Sequence, residues 1–85
     1  MKEFNYKITD AAGIHARPAG ILVKEAKKFG STAAILVNGK QGDLKKIFTV
    51  MGLGAKQGDT VTIQVTGADE GEAAAAIEAA FKANL

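Results

Sequence analysis

Two stretches of this chain alternate between apolar and polar residues. The first, residues 4–9, sets phenylalanine, tyrosine and isoleucine between polar side chains, and the second, residues 60–66, sets valine and isoleucine between threonine and glutamine. A period of two is typical of a strand that buries one of its faces. We therefore predict a strand in each stretch, the second being the clearer because its residues also favour extended backbone.

Two other stretches have the spacing of amphipathic helices. In the first, the apolar positions are Ala19, Leu22, Val23, Ala26 and Phe29, and Gly20, Lys24, Lys27 and Lys28 fall on the opposite side. Pro18 is best tolerated in a first helical turn, so this helix should begin at about Ala16 and end at Gly30.

The second helical stretch lies at the end of the chain. Its apolar stripe consists of Ala73, Ile77, Ala80 and Phe81. Asp69, with Glu72 three positions later, resembles a capping box in which the aspartate is the cap. We predict a strand end at Gly67 and a C-terminal helix that begins after Asp69.

Shorter elements are predicted in the middle of the chain. The apolar run Ala33–Val37 leads into Asn38-Gly39, a strong hairpin signal, and then into a polar edge strand at Lys40–Asp43. Residues Lys45–Met51 are predicted as a brief helix that stops at Gly52-Leu53-Gly54. The resulting order of strands and helices predicts an α+β sandwich with the helices on one face of a sheet.

Length and composition exclude several classes of protein. With 85 residues and no cysteine, the chain should form one domain over residues 1–85, without disulfides or thiolate chemistry. A single histidine makes a metal site improbable, and no other cofactor is expected. No apolar run reaches the ~18 residues of a membrane span, and the start lacks a signal-peptide core. We expect a soluble, cytoplasmic protein, and a net charge of +2 with few aromatic residues does not favour nucleic acid.

The only histidine, arginine and proline of the chain lie within four residues, in the run Gly13-Ile14-His15-Ala16-Arg17-Pro18-Ala19-Gly20. His15 offers a nucleophilic imidazole nitrogen, and Arg17 a planar cation suited to oxyanions. A helix that starts at Ala16 also presents unpaired N–H groups and the positive end of its dipole. These features together predict a phosphate site.

Other functions are compatible with parts of this pattern. A lone histidine is more often structural than reactive, so a binding or regulatory module in which Gly13 and Pro18 only shape a turn is the main alternative. A hydrolase is disfavoured, because there is no cysteine to pair with the histidine and Ser31, the only serine, lacks an activating context. RNA binding is the least favoured of the alternative functions.

The run from Gly13 to Ala19 resembles the active-site signature of the histidine-containing phosphocarrier (HPr) family. The resemblance continues over most of the chain, through Asn38-Gly39-Lys40, Leu44-Lys45, Val50-Met51-Gly52-Leu53-Gly54 and Gly67-Ala68-Asp69-Glu70. It implies an HPr-like open-faced sandwich of βαββαβα order. In that fold three helices cover one face of four antiparallel strands, ordered first, fourth, second, third.

The resemblance also implies a function. A protein of this family is a phosphoryl carrier of the phosphoenolpyruvate-dependent sugar phosphotransferase system and not an enzyme with its own turnover. It implies that Nδ1 of His15 accepts phosphate from phospho-Enzyme I and passes it to a sugar-specific Enzyme IIA. Arg17 and the amides near Ala16 and Arg17 would hold the phosphoryl group, with Pro18 supporting the turn. The carrier is expected to be a monomer.

By the same resemblance, a surface next to the site contacts Enzyme I and Enzyme IIA. Its residues are Gly20, Lys24, Lys27, Ile47, Phe48, Met51 and Leu53. Phe48 is the best interface candidate, because exposed aromatic residues tend to be binding anchors, whereas Ile47 and Met51 are equally compatible with the core. Positive charge near His15 would speed encounter with acidic partners.

One position departs from many Gram-positive relatives. Lys46 occupies the place of their regulatory serine, and Thr49 does not match that position. A lysine is not a substrate for a serine kinase, and it adds positive charge where phosphoserine would add about −1.5 to −2. Regulation by a bifunctional HPr kinase/phosphorylase at this site is therefore not expected.

Overall fold

A computed structural model describes all 85 residues, and its elements follow the predicted order. The strands are β1 (Lys2–Lys7), β2 (Thr32–Val37), β3 (Lys40–Asp43) and β4 (Thr60–Thr66), and the helices are α1 (Ala16–Ala26), α2 (Ile47–Gly52) and α3 (Glu70–Asn84). The strands form one antiparallel sheet in the order β1-β4-β2-β3. The α+β class, the βαββαβα order and the strand order are confirmed.

The core lies between the helices and one face of the sheet. The two central strands, β2 and β4, bury alternate side chains: Ala33, Ile35, Val37, Val61, Ile63 and Val65. Phe81 of α3 is fully buried over the end of β1, with ring centroids 5.9 Å from Phe4 and 5.6 Å from Tyr6. None of the helices combines the length and the hydropathy needed to cross a membrane.

The predicted hairpin and edge strand are confirmed. Asn38 and Gly39 both have positive φ, 52° and 76°, as the favoured two-residue hairpin turn requires. Val37 pairs with Lys40 across the turn, and β3 has a neighbour on one side only.

Two helix boundaries differ from the prediction. Helix α1 ends at Ala26 instead of reaching Gly30, and the N–H group of Gly30 donates to Asp69 at 3.0 Å. After the end of α1 the hydrogen bonds tighten, because the N–H groups of Lys28 and Phe29 donate to the carbonyl oxygens three positions back, at 3.2 and 3.3 Å. Helix α2 begins at Ile47 because the residue before it, Lys46, has an extended backbone with φ −118° and ψ 107°.

The predicted capping box of α3 is wrong. The carboxylate of Asp69 does not cap its own helix but accepts from the N–H groups of Gly30 and Ser31, both at 3.0 Å, and from the Ser31 hydroxyl. The Ser31 hydroxyl, followed by the Gly30 N–H, holds the pKa of the Asp69 carboxyl below its ordinary value. The contact therefore stabilises the fold above the unfolded-state pKa of that carboxyl, and the stabilisation is lost as the pH falls through the lower, folded-state pKa.

The loop between β1 and α1 is held against the segment that precedes β4. Gly13 has φ +67°, and a Cβ atom at this position would lie 2.4 Å from the carbonyl oxygen of Ala55. The next N–H group, that of Ile14, donates to the same oxygen at 3.0 Å. This close approach fixes the backbone directly before His15.

The substitution Gly13→Ala should therefore destabilise the protein more than Gly54→Ala. Gly54 has nearly the same φ, +69°, but open space where its Cβ would lie. Both changes carry the strain of a left-handed alanine, about 1 kcal/mol, and only Gly13→Ala adds backbone overlap, for a total of about 2–4 kcal/mol. Urea unfolding of the two variants measures the difference, and equal losses would contradict the close approach as a constraint.

Candidate functional site

His15 occupies the N-cap position of α1, as predicted from the expected helix start at about Ala16. Its backbone is extended, with φ −106° and ψ −168°, and its carbonyl oxygen accepts from the N–H group of Ala19 at 3.0 Å. The side chain is exposed and does not cap the helix. The imidazole is therefore open to solvent, and to any molecule that approaches the start of α1.

The first N–H groups of α1 have no acceptor within the protein. Those of Ala16 and Arg17 make no hydrogen bond, Pro18 has no N–H group, and pairing starts with Ala19. No acidic side chain lies in the first turn to compensate them. Two donors and the positive end of the helix dipole are thus left for an anion next to the His15 ring.

Arg17 and His15 line one shallow pocket of about 260 Å³. The other residues around it are Asp10, Pro18, Ile21, Ala83 and Asn84. Arg17 is exposed and its guanidinium forms no ion pair in the structure. A planar cation with all its donors free, beside an imidazole and two free amides, is suited to holding the oxygens of a phosphoryl group.

Sequence reasoning did not place Asp10 or the end of α3 in this pocket. The backbone oxygen of Leu85 accepts from the N–H groups of Thr9 and Asp10, at 2.7 and 2.9 Å, which brings the last turn of α3 beside the loop before His15. These residues are more than 65 positions apart, so no local pattern reports the contact. Only Asp10 carried a local signal, since an aspartate shortly before a glycine often forms a turn.

Two of the predicted partner-binding residues, Gly20 and Ile47, lie where α1 meets α2. Lys24 is exposed on α1, and Lys27, the C-cap residue directly after the helix, is exposed as well. A Cβ atom on Gly20 would lie 3.7 Å from Cδ1 of Ile47, so the two helices are close at this point. On α2, Phe48 is 84% exposed.

The remaining apolar residues of this region are less accessible. Ile47 and Met51 are half-buried and pack against the core, so each offers only part of its surface. Leu53 is 6% exposed and belongs to the core itself. This corrects the expectation that Leu53 contacts partner proteins: the chain turns inward after α2, and the side chain fills the interior.

Lys46 is the N-cap residue of α2. It is exposed, its backbone is extended with φ −118° and ψ 107°, and its side chain does not cap the helix. The lysine therefore adds a solvated positive charge at the edge of the surface that carries Phe48.

Comparison with known proteins shows which family this chain resembles. The family described as PTS HPr component phosphorylation site matches residues 2–83. The phosphocarrier protein HPr of Mycoplasma capricolum is 49% identical over 78 residues, which is 92% of this chain and 88% of that protein. HPr of Mycoplasma genitalium is 47% identical over 85 residues, covering 99% and 97% of the two chains.

Solved structures show the same likeness. A mycoplasma histidine-containing phosphocarrier protein superposes with a TM-score of 0.91 at 47% identity, covering 93% of this chain and 90% of that one. An HPr dimer from Thermoanaerobacter tengcongensis has a TM-score of 0.77 at 36% identity, covering 98% and 95%. Proteins of this kind pass a phosphoryl group between other proteins and are not themselves enzymes. The chain belongs to the HPr family of phosphocarrier proteins of the phosphotransferase system.

Proposed function

We propose that His15 is the residue that carries the phosphoryl group, received from phospho-Enzyme I and donated to a sugar-specific Enzyme IIA, with phosphoenolpyruvate as the ultimate donor. One observation carries this proposal. The exposed His15 ring stands beside two unpaired amides, and Arg17 faces the same pocket without an ion-pair partner.

The transfer follows from these groups. The lone pair on Nδ1 of His15 attacks the phosphorus of the phosphohistidine on Enzyme I, forming one P–N bond as the donor's P–N bond breaks. Charge spreads over the phosphoryl oxygens during the step. The N–H groups of Ala16 and Arg17 and the guanidinium stabilise this charge without rearranging, because nothing in the protein occupies them. Donation to Enzyme IIA is the same step in the opposite direction, with a new acceptor.

Exposure of the ring is required by this role. Donor and acceptor are both side chains of other proteins, so each must reach the phosphorus in line with the bond that breaks. A shallow pocket at the start of a helix permits that approach, whereas a deep one would prevent it.

Residues of α1, of its C-cap and of α2 form the proposed docking surface. It consists of Gly20, Lys24, Lys27, Ile47, Phe48 and Met51, and it leaves out the buried Leu53. Phe48 provides an apolar anchor, and the lysines attract acidic partners. We propose that residues 1–85 act as one domain, as a monomer in the cytoplasm, since that arrangement leaves both the His15 pocket and this surface free.

The identity of the residue at position 46 determines whether a serine kinase has a substrate there. Because Lys46 stands where many relatives carry a regulatory serine, the proposal includes no control by a serine kinase at this position. Its positive charge also keeps the docking surface permanently attractive to acidic partners.

The substitution His15→Ala should abolish phosphorylation and leave the fold intact. The side chain is exposed and caps nothing, so its loss changes the free energy of unfolding by less than about 1 kcal/mol. The measurement is incubation with Enzyme I and labelled phosphoenolpyruvate, in which the wild type should gain an acid-labile, alkali-stable adduct. Labelling of the folded variant would contradict the assignment.

The substitution Arg17→Lys should slow transfer about 10- to 100-fold, because a point ammonium does not reproduce a planar fork of donors. Stability should change by no more than about 0.5 kcal/mol, since Arg17 is exposed and unpaired. Rapid-quench kinetics with phospho-Enzyme I measures the rate. If the rate is unchanged, Arg17 has no part in the chemistry.

The substitution Phe48→Ala should weaken binding to Enzyme I and Enzyme IIA by about 2 kcal/mol, the loss typical of an aromatic anchor, with an unchanged melting temperature. Phe4→Ala is the matched control: that ring is half-buried against Phe81, so its loss should lower the melting temperature and leave affinity unchanged. Calorimetric titration and thermal melts separate the two effects. The reverse pattern would assign Phe48 to stability.

A further inference from the structure

Asp10 is the only acidic residue of the pocket that contains His15 and Arg17. The proposed function assigns the favourable contacts of a phosphoryl group to Arg17 and to the amides at the start of α1. A carboxylate in the same pocket opposes them, because it repels the phosphoryl oxygens. The carboxylate of Asp10 therefore has either a structural role or an electrostatic one.

Three hydrogen bonds hold Asp10 in place. Its N–H group donates to the backbone oxygen of Leu85 at 2.9 Å, its carbonyl oxygen accepts from Gly13 at 3.0 Å, and its Oδ1 accepts from the N–H group of Ala12 at 2.8 Å. The last contact is a turn closed by the aspartate side chain. The carboxylate is thus fixed at the pocket and does not form an ion pair with Arg17.

The turn itself does not require a charge. Asparagine and serine close the same kind of turn with a neutral oxygen. Within this chain Asp43 makes an equivalent contact with the N–H group of Lys45, at 2.9 Å, and it does not line the His15 pocket. Asp43 therefore provides an internal comparison for what an aspartate in such a turn does without a phosphoryl group nearby.

We infer that the fixed negative charge of Asp10 raises the phosphoryl-transfer potential of phosphorylated His15; this role rests on the proposed function. A phosphoryl group brings about 1.5–2 negative charges, and His15 and Asp10 line the same pocket of about 260 Å³. Exposed charges interact over a Debye length of ~8–10 Å near physiological salt. The repulsion offsets part of the attraction from Arg17 and the helix amides. Asp10 thereby keeps the phosphorylated form from becoming too stable to donate.

The test is a competition for phosphoryl groups in one tube. Asp10→Asn, which keeps the oxygen that accepts from Ala12, is mixed with an equal amount of ¹⁵N-labelled wild type, a trace of Enzyme I and limiting phosphoenolpyruvate. Intact mass spectrometry reads the phosphorylated fraction of each once the ratio is constant. Enzyme I is only the catalyst of exchange, so altered docking changes the speed and not the final ratio. Asp43→Asn against the same labelled wild type is the control, with the same change in net charge.

We expect Asp10→Asn to hold about three- to tenfold more phosphoryl groups than wild type at low salt, and the ratio to fall towards one as NaCl approaches 1 M. Asp43→Asn should share them equally at every salt concentration. Asp10→Ser, a second neutral variant that keeps an acceptor for Ala12, should behave like Asp10→Asn.

Three results would overturn the inference. Equal sharing between Asp10→Asn and wild type shows that the charge has no effect, and so does a preference for wild type. A preference that does not respond to salt shows a structural effect instead. Failure of the wild type to take up any phosphoryl group is a different outcome, because it removes the proposed function of His15 together with this role of Asp10.

Discussion

A helix cannot pair its own first N–H groups, and the site of this protein depends on that constraint. At the start of α1 the amides of Ala16 and Arg17 have no acceptor, and Pro18 removes a third donor that would otherwise also need one. In most helices a side chain at the N-cap position satisfies one of these groups. Here the N-cap residue is His15, whose ring does not do so. The proposed anion site depends on the lack of a side-chain cap worth about 1 kcal/mol, and the fold has to supply that stability elsewhere.

Long-range contacts in the rest of the structure supply that stability, and they also position the loop that carries His15. The buried faces of β2 and β4 and the fully buried Phe81 form a core on which α1 rests. The backbone contact between Gly13 and Ala55 and the binding of Thr9 and Asp10 to Leu85 fix the loop before His15 from two sides. The exposed ring is therefore carried by a loop that is fixed on both sides. In the proposed function, this loop preorganises the unpaired donors for a phosphoryl group.

Periodic patterns made much of this fold predictable. The alternation in residues 60–66 and the Asn38-Gly39 turn gave the central strand and the hairpin, and Pro18 indicated where α1 starts. What the sequence did not reveal depends on contacts between distant residues. The carboxylate of Asp69 binds the residues just before β2 instead of its own helix, and Leu53 turns into the core although the helix before it exposes Phe48. The acidic and C-terminal residues of the His15 pocket were missed for the same reason, since only the packing of α3 brings them there.

A carrier and an enzyme place different demands on the same chemical groups. An enzyme gains from every contact that stabilises its transition state, whereas a carrier must also release its cargo to the next protein, so contacts that stabilise the loaded state reduce its usefulness. The pocket has the composition that the proposed carrier role requires: one guanidinium and two amides would attract the phosphoryl group, the pocket is shallow, and one carboxylate would oppose the attraction. A fold with a deeper or more positive pocket would hold phosphate better and pass it on less well. The shallow, mixed-charge pocket around His15 therefore suits the proposed exchange between proteins better than tight retention of phosphate.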